Sequence, residues 1–208
     1  MADELKSGGV SKQRLDALTD GVYAFAMTLL VISLDLPAGD QITNADQLLA
    51  LLKQLQDNLL VYVISFTVLG ARWLRNARDH GSDGWFSNGY AWAVIVHLFF
   101  VTLTPFATKL VGLYGDLWPA ICFYAAVTVF AALSSRRAAE LLAAQETPGK
   151  AVGGRFDLSV LIVTALLSCV LAFVAPRYSM YAYLLNAASP FLQRMLGRAP
   201  HTLSLIHI

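Results

Sequence analysis

Long apolar runs, each near the length that crosses a bilayer, follow one another along this chain with short polar segments between them. The first is predicted over residues 15–36, which at about 1.5 Å per residue span roughly 33 Å of helix. Pro37 and Gly39 stop it. Residues 41–57 form a polar link with leucines at 48, 49, 51, 52 and 55, a pattern that predicts a short helix at the membrane interface. Further spans are predicted over 58–78, 86–110, 118–135, 156–175 and 178–196. Pro105 is expected to kink the third near one end. RRAAELLAAQ carries the fourth on into water, residues 147–154 are a linker, and Pro176 ends the fifth. The runs show no period-two alternation, and helices satisfy their own backbone groups in lipid. No internal repeat is visible.

Composition sharpens this reading. Apolar residues make up 57% and charged residues 14% of the chain, against roughly 25% charged in soluble domains. Mean hydropathy is +0.57. The expected class is an all-α integral membrane protein with six spans per subunit. The polar, acid-containing N-terminus precedes an apolar run too long for a signal-peptide core and without a small-residue cleavage site, so that run is expected to stay as the first span. A net charge of only +1 argues against a nucleic-acid partner. Cys122 and Cys169 sit in different apolar runs and read as packing residues rather than a disulfide or metal site.

Basic residues set the orientation. With the N-terminus inside, the inner segments hold twelve Lys and Arg (6, 12, 14, 72, 75, 78, 136, 137, 150, 155, 194 and 198), and the outer ones hold Lys53, Lys109 and Arg177. Both termini are therefore expected in the cytoplasm. Trp73, Trp85, Tyr114, Trp118 and Tyr178 fall near span ends, as an aromatic belt should. The organisation expected is a cytoplasmic N-terminus over 1–14, a membrane domain over 15–196 and a tail over 197–208. LSLIHI, residues 203–208, matches one reading frame of a sequencing-library adapter and reads as an artefact.

The first span is punctuated by polar groups. Asp20 lies about one turn inside its inner end, where an ionised acid must face protein, water or a counter-charge. Arg14 is about 120° away round the same helix, so the two need partners elsewhere. The second span brings Arg72, Trp73, Arg75 and Asn76 to the same level. Asp20 is either part of a polar clamp there or a solvated acid favoured by the helix dipole. Gly21, Phe25, Thr28, Ile32 and Asp35 form one stripe, flanked by Leu29 and Leu36. Two readings are open. A ring of such stripes lines a narrow path, with Asp35 concentrating cations at the outer mouth and Phe25, Leu29 and Ile32 as apolar constrictions. Alternatively the stripe packs against the other spans of one subunit.

RLDALTDGVYAFAMTLLV, residues 14–31, resembles the first-helix signature of bacterial homologues of the endosomal–lysosomal potassium channel, transmembrane protein 175. SFTVLGARW (65–73) and LFFVTLTPFATKLVGLYGD (98–116) are similar to that family's second- and third-helix segments. The likeness covers spans one to four by motif, and five and six by hydropathy and length. It implies a homotetramer in which the first helix of each subunit lines one central potassium pathway. By that likeness Phe25 takes the position of the main constriction, with Leu29 and Ile32 following. Thr28 takes the selectivity position, and Arg14, Asp20 and Trp73 the clamp between first and second helices. Three positions depart from the pattern. Leu18-Thr19-Asp20 replaces Phe-Ser-Asp, Asn76-Ala77 stands where a His pair is expected, and Phe25 is bulkier than the usual aliphatic residue.

The function expected is a passive, weakly selective potassium channel in a bacterial inner membrane. It carries no TVGYG-type filter, so selectivity is expected from side chains of the first helix. No nucleophile motif, dinucleotide fingerprint or metal-ligand spacing occurs, so neither an enzyme nor a cofactor or resident metal is expected; the partners are potassium ions, lipid and further copies of the chain. Intramembrane His97 reads as a hydrogen-bonded packing residue. The alternatives are a proton-linked or small-solute transporter using Asp20 and His97, or a membrane scaffold or membrane enzyme.

Overall fold

Apolar runs without alternation become helices, and the structure, a computed structural model, describes residues 9–34, 36, 42–78, 84–145 and 155–183. Asp35, residues 184–196 of the sixth span, and the tail over 197–208 lie outside the described residues. Helix α1 runs over Lys12–Leu29 and tightens into a 3-10 turn over Leu30–Ser33. There the Ser33 hydroxyl donates to the Leu30 carbonyl at 2.6 Å, a local bond that suits the tighter turn.

The chain enters α1 through a short antiparallel pairing absent from the predicted elements. Strand β1 (Val10–Ser11) pairs with β2 (Trp85–Phe86), Val10 opposite Phe86 and Ser11 opposite Trp85. The Lys12 N–H donates to the Gly84 carbonyl at 3.1 Å. Two residues are too few to show a period-two signal, which corrects the purely helical expectation. The ladder ties the start of α1 to the chain entering the third span.

Helix α2 (Ala45–Gln54) is the short helix expected in the polar link. Asn44 caps it, accepting from the Gln47 N–H at 2.9 Å, while Gln47 Oε1 reaches back to the Thr43 N–H at 2.8 Å. Its Leu48, Leu49 and Leu52 are exposed, as an interfacial helix requires. Helix α3 spans Gln56–Arg78, α4 Asn88–Tyr114, α5 Trp118–Gln145 and α6 Arg155–Ala172. Short helix α7 (Pro176–Ser179) begins on Pro176 and passes into a 3-10 turn, Met180–Tyr183. Helix α4 continues through Pro105. Helix α5, at 28 residues, is about 42 Å long and outruns a bilayer core. Its last turns carry exposed ion pairs from Arg136 and Arg137 to Glu140, at 3.2 and 3.6 Å, which fits the water-exposed extension.

By length and composition, three helices among the described residues can cross a membrane: Lys12–Ser33, Asn88–Tyr114 and Trp118–Ala144, with a shorter apolar helix at Ser159–Ala172. Helix α3 is 23 residues long but loads its last two turns with Arg72, Arg75, Asn76 and Arg78. Helices α4 and α5, joined by a three-residue turn, form the centre; α1 and α3 pack on α4, and α6 packs on α5. At the turn, a methyl on Gly115 would sit 2.7 Å from the Val111 carbonyl oxygen, so a side chain there forces the backbone to move.

One apolar cluster joins α3, α4, α5, α6 and the segment after α7, through Ile64, Val111, Tyr124, Leu161 and Tyr183. A second joins α1 to α3, α4 and α5 through Tyr23, Leu30, Leu69, Leu98 and Ala138. Outside, Trp92, Phe99, Phe106, Phe130, Leu166 and Phe173 are exposed, an apolar skin suited to acyl chains. Cys122 of α5 and Cys169 of α6 form a disulfide, with Cα atoms 5.0 Å apart. This corrects their reading as separate packing residues. Separation of 47 positions hides a contact that adjacent helices create.

Candidate functional site

Helix α1 has two faces. Leu15, Thr19, Tyr23, Ala26, Leu30 and Ser33 are buried against the rest of the protomer. On the other side Phe25 is 66% and Ile32 62% exposed, Gly21 and Thr28 are exposed, and Leu29 is half-buried. Phe25 and Ile32 thus do not pack within the one subunit described. Tyr23 and Leu30, both fully buried, fill the second cluster and turn the Phe25 side outward.

Thr28 adds an oxygen to that outward face. Its hydroxyl donates to the Phe25 carbonyl at 2.8 Å. The proton is therefore committed to the helix backbone, and the lone pairs remain to accept from water or contact a cation.

At the inner end, Trp73 of α3 donates its indole N–H to Asp20 Oδ1 of α1 at 2.9 Å. Of the three residues assigned to the clamp, the structure thus joins two. Arg14 is exposed on α1 and takes no part in that bond. A single indole donor with a carboxylate acceptor is a directional, charge-assisted bond between helices.

Deeper, a buried polar chain links three helices. Tyr23 Oη of α1 lies 2.8 Å from His97 Nε2 of α4, and His97 Nδ1 lies 2.8 Å from the Ala131 carbonyl of α5. A carbonyl only accepts, so Nδ1 carries the proton and Nε2 receives the tyrosine O–H. The Ser134 hydroxyl stands 3.5 Å from Nδ1. Arg72 and Asn76 of α3 stand beside the same tyrosine hydroxyl. His97 matches its expected hydrogen-bonded packing role.

Arg72, counted among the inner basic residues, is not at the surface. It is only 5% exposed, and its Nε and Nη2 have no partner among the described residues. A second buried chain runs from Thr108 to Ser65 at 2.8 Å and from Ser65 to Tyr124 at 3.1 Å. Sequence reasoning missed Tyr23, whose ring hides in an apolar run. The 4-4-3-4 spacing from Leu15 through Thr19, Tyr23 and Ala26 to Leu30 is the signal that marks it as core-facing.

Comparison with known proteins agrees with the first half of this description. Residues 14–105 match the sequence model of the family described as endosomal/lysosomal potassium channel TMEM175. A potassium channel of a Chryseobacterium species is 28% identical over 103 residues, covering 50% of each chain. A potassium channel of Chamaesiphon minutus is 31% identical over 109 residues, 49% of each. The chain thus spans about half the length of the curated relatives it matches. The crystal structure of a lysosomal potassium-selective channel TMEM175 homologue from Chamaesiphon minutus superimposes with a TM-score of 0.67 at 21% identity. The match covers 88% of this chain and 96% of that one, and shows a shared fold.

Proposed function

We propose that this protein is a passive, weakly selective potassium channel, with α1 of each subunit lining a central path in a homotetramer. The outward stripe on α1 carries this reading: Phe25 and Ile32 are mostly exposed and Thr28 offers an oxygen between them, on a helix whose other face is buried. The relatives named as potassium channels, and the family match through α1, support it.

In such a ring Phe25, Leu29 and Ile32 form apolar constrictions that gate by wetting, and Thr28 supplies the polar step between them. Asp35 lies outside the described residues; its charge would draw cations to the outer mouth. The bond from Trp73 to Asp20 holds the inner end of α1 against α3, and Arg14 is left to the cytoplasmic surface. Without a TVGYG filter, potassium keeps much of its hydration and selectivity stays modest.

The six-span reading with both termini cytoplasmic, in a bacterial inner membrane, gains support from the disulfide. Cys122 lies one turn into α5, and Cys169 one turn before the end of α6. Both are at the end that the basic residues assign to the outside, and disulfides persist in oxidising compartments such as the periplasm. The transporter alternative loses ground. Asp20 and His97 sit in separate bonds, one with Trp73 and one with Tyr23, with no relay between them among the described residues.

Reconstituted potassium flux tests the proposal. Phe25→Asn or Leu29→Asn is expected to raise the resting flux by about tenfold, the factor that a barrier lower by about 1.4 kcal/mol gives. Unchanged flux in both variants would overturn the constriction.

A further inference from the structure

We propose that the hydrogen bond between Tyr23 and His97 is a positioning contact that sets the rotation of α1, and with it the direction in which the Phe25–Thr28 stripe points. The inference rests on the pore-wall reading of that stripe and adds the device that aims it.

The geometry is simple. At about 100° per residue, Gly21, Phe25 and Thr28 project roughly 140–200° round the helix from Tyr23. Whatever fixes Tyr23 toward the protomer core therefore fixes those three away from it. Apolar packing alone specifies this less sharply: the buried face of α1 contains Leu15, Ala26 and Leu30, whose hydrophobic contacts are non-directional. The tyrosine bond is directional. Its hydroxyl meets one nitrogen at 2.8 Å, and that imidazole is held at its other nitrogen by the Ala131 carbonyl, also at 2.8 Å. Tyr23 is 0% and His97 4% exposed, so a broken bond has no water to replace it.

The chain of bonds thus crosses from α1 through α4 to α5, the long central helix. Another bond from α1, between Asp20 and Trp73, is exposed and lies nearer the helix start. A tie near the end fixes position more than rotation; the deeper tie restrains the turn about the helix axis. Tyr23 lies on the opposite side of α1 from the stripe, so its role is positioning.

The test reads helix angle directly. Single substitutions Phe25→Cys, Met27→Cys and Thr28→Cys are placed in the full chain, reconstituted in liposomes and exposed to a charged, water-soluble thiol reagent without reductant. The unsubstituted chain, whose two cysteines are joined, serves as the silent control. With Tyr23 present, positions 25 and 28 are expected to react faster than position 27, which is half-buried against the second cluster and points about 160° away from Phe25 and about 100° away from Thr28. A contrast of about tenfold is expected, the factor one buried hydrogen bond sustains.

With Tyr23→Phe added, that contrast is expected to fall to near unity. The double variant Tyr23→Phe with His97→Leu removes the orphaned nitrogen, so thermal stability should recover while the contrast stays low. Three results overturn the proposal. An unchanged contrast in Tyr23→Phe leaves the pore-wall reading standing without this contact. A contrast that recovers together with stability in the double variant makes the bond structural only. No contrast even with Tyr23 present removes the pore wall itself. Should Tyr23→Phe fail to fold, His97→Leu alone, which removes the acceptor, is read by the same labelling: a lowered contrast supports the contact and an unchanged one overturns it.

Discussion

Two side chains carry charge or dipole where an apolar residue would be cheaper, and each makes a different demand. The Trp73 indole ties itself to Asp20 across α1 and α3 at a partly exposed site. Trp73→Phe keeps most of the ring and removes the donor, so unfolding in detergent is expected to become easier by about 1 kcal/mol. A variant as stable as the parent would show that water replaces the bond. Arg72 is the opposite case, a buried guanidinium with two nitrogens unpartnered among the described residues. Arg72→Met matches its length without its charge. Replacing a buried charged group by an apolar side chain of similar volume is often neutral or stabilising, by about 1–4 kcal/mol. Equal or higher thermal stability is therefore expected; a loss of several degrees in melting temperature would show that the assembled protein supplies a partner.

These residues also show what was legible in the chain. That Asp20 needs protein, water or a counter-charge was readable from its place inside a span, whereas its pairing with Trp73 came only from the family resemblance. His97 was likewise flagged by its place inside a span. Arg72 was not, because positive-inside counting treats every arginine near a span end as an anchor and says nothing about which face it occupies. Tyr23 was hidden because its ring counts as apolar and its hydroxyl leaves no trace in a hydropathy profile.

Among elements, α1 followed its pattern most closely, since one helix with two chemically different faces writes that difference at a 3.6-residue period. The short interfacial α2 and the extension of α5 were legible for the same reason, their polar residues recurring where water must be. The β1–β2 ladder was not, being two residues long on each side. Nor was the disulfide, since residues 47 apart reveal a shared neighbourhood only once α5 and α6 lie side by side. That staple closes a long loop, including the linker between the helices, so reduction is expected to cost about 2–4 kcal/mol. Melting temperature measured with and without reductant checks this, together with alkylation, which should find no free thiol before reduction. Free thiols in membranes prepared without reductant would place the two sulfurs on the reducing side and reverse the proposed orientation.

At the scale of the molecule, the proposed channel makes the protomer one part of a larger object. Its apolar skin suits lipid, but the α1 face offers a threonine oxygen where acyl chains want none. Closure of several such faces round an axis resolves this, and the closed ring with identical interfaces is the ordinary form of a homo-oligomer. Native mass spectrometry of the detergent-solubilised protein is expected to show four copies of the 22.6 kDa chain, and a monomer would remove the ring. The most direct measurement is the potassium current through reconstituted Thr28→Cys before and after a charged thiol reagent. A current that falls towards zero after treatment while the parent current does not is the expected result. A current that persists after position 28 has been shown to react would contradict conduction along α1.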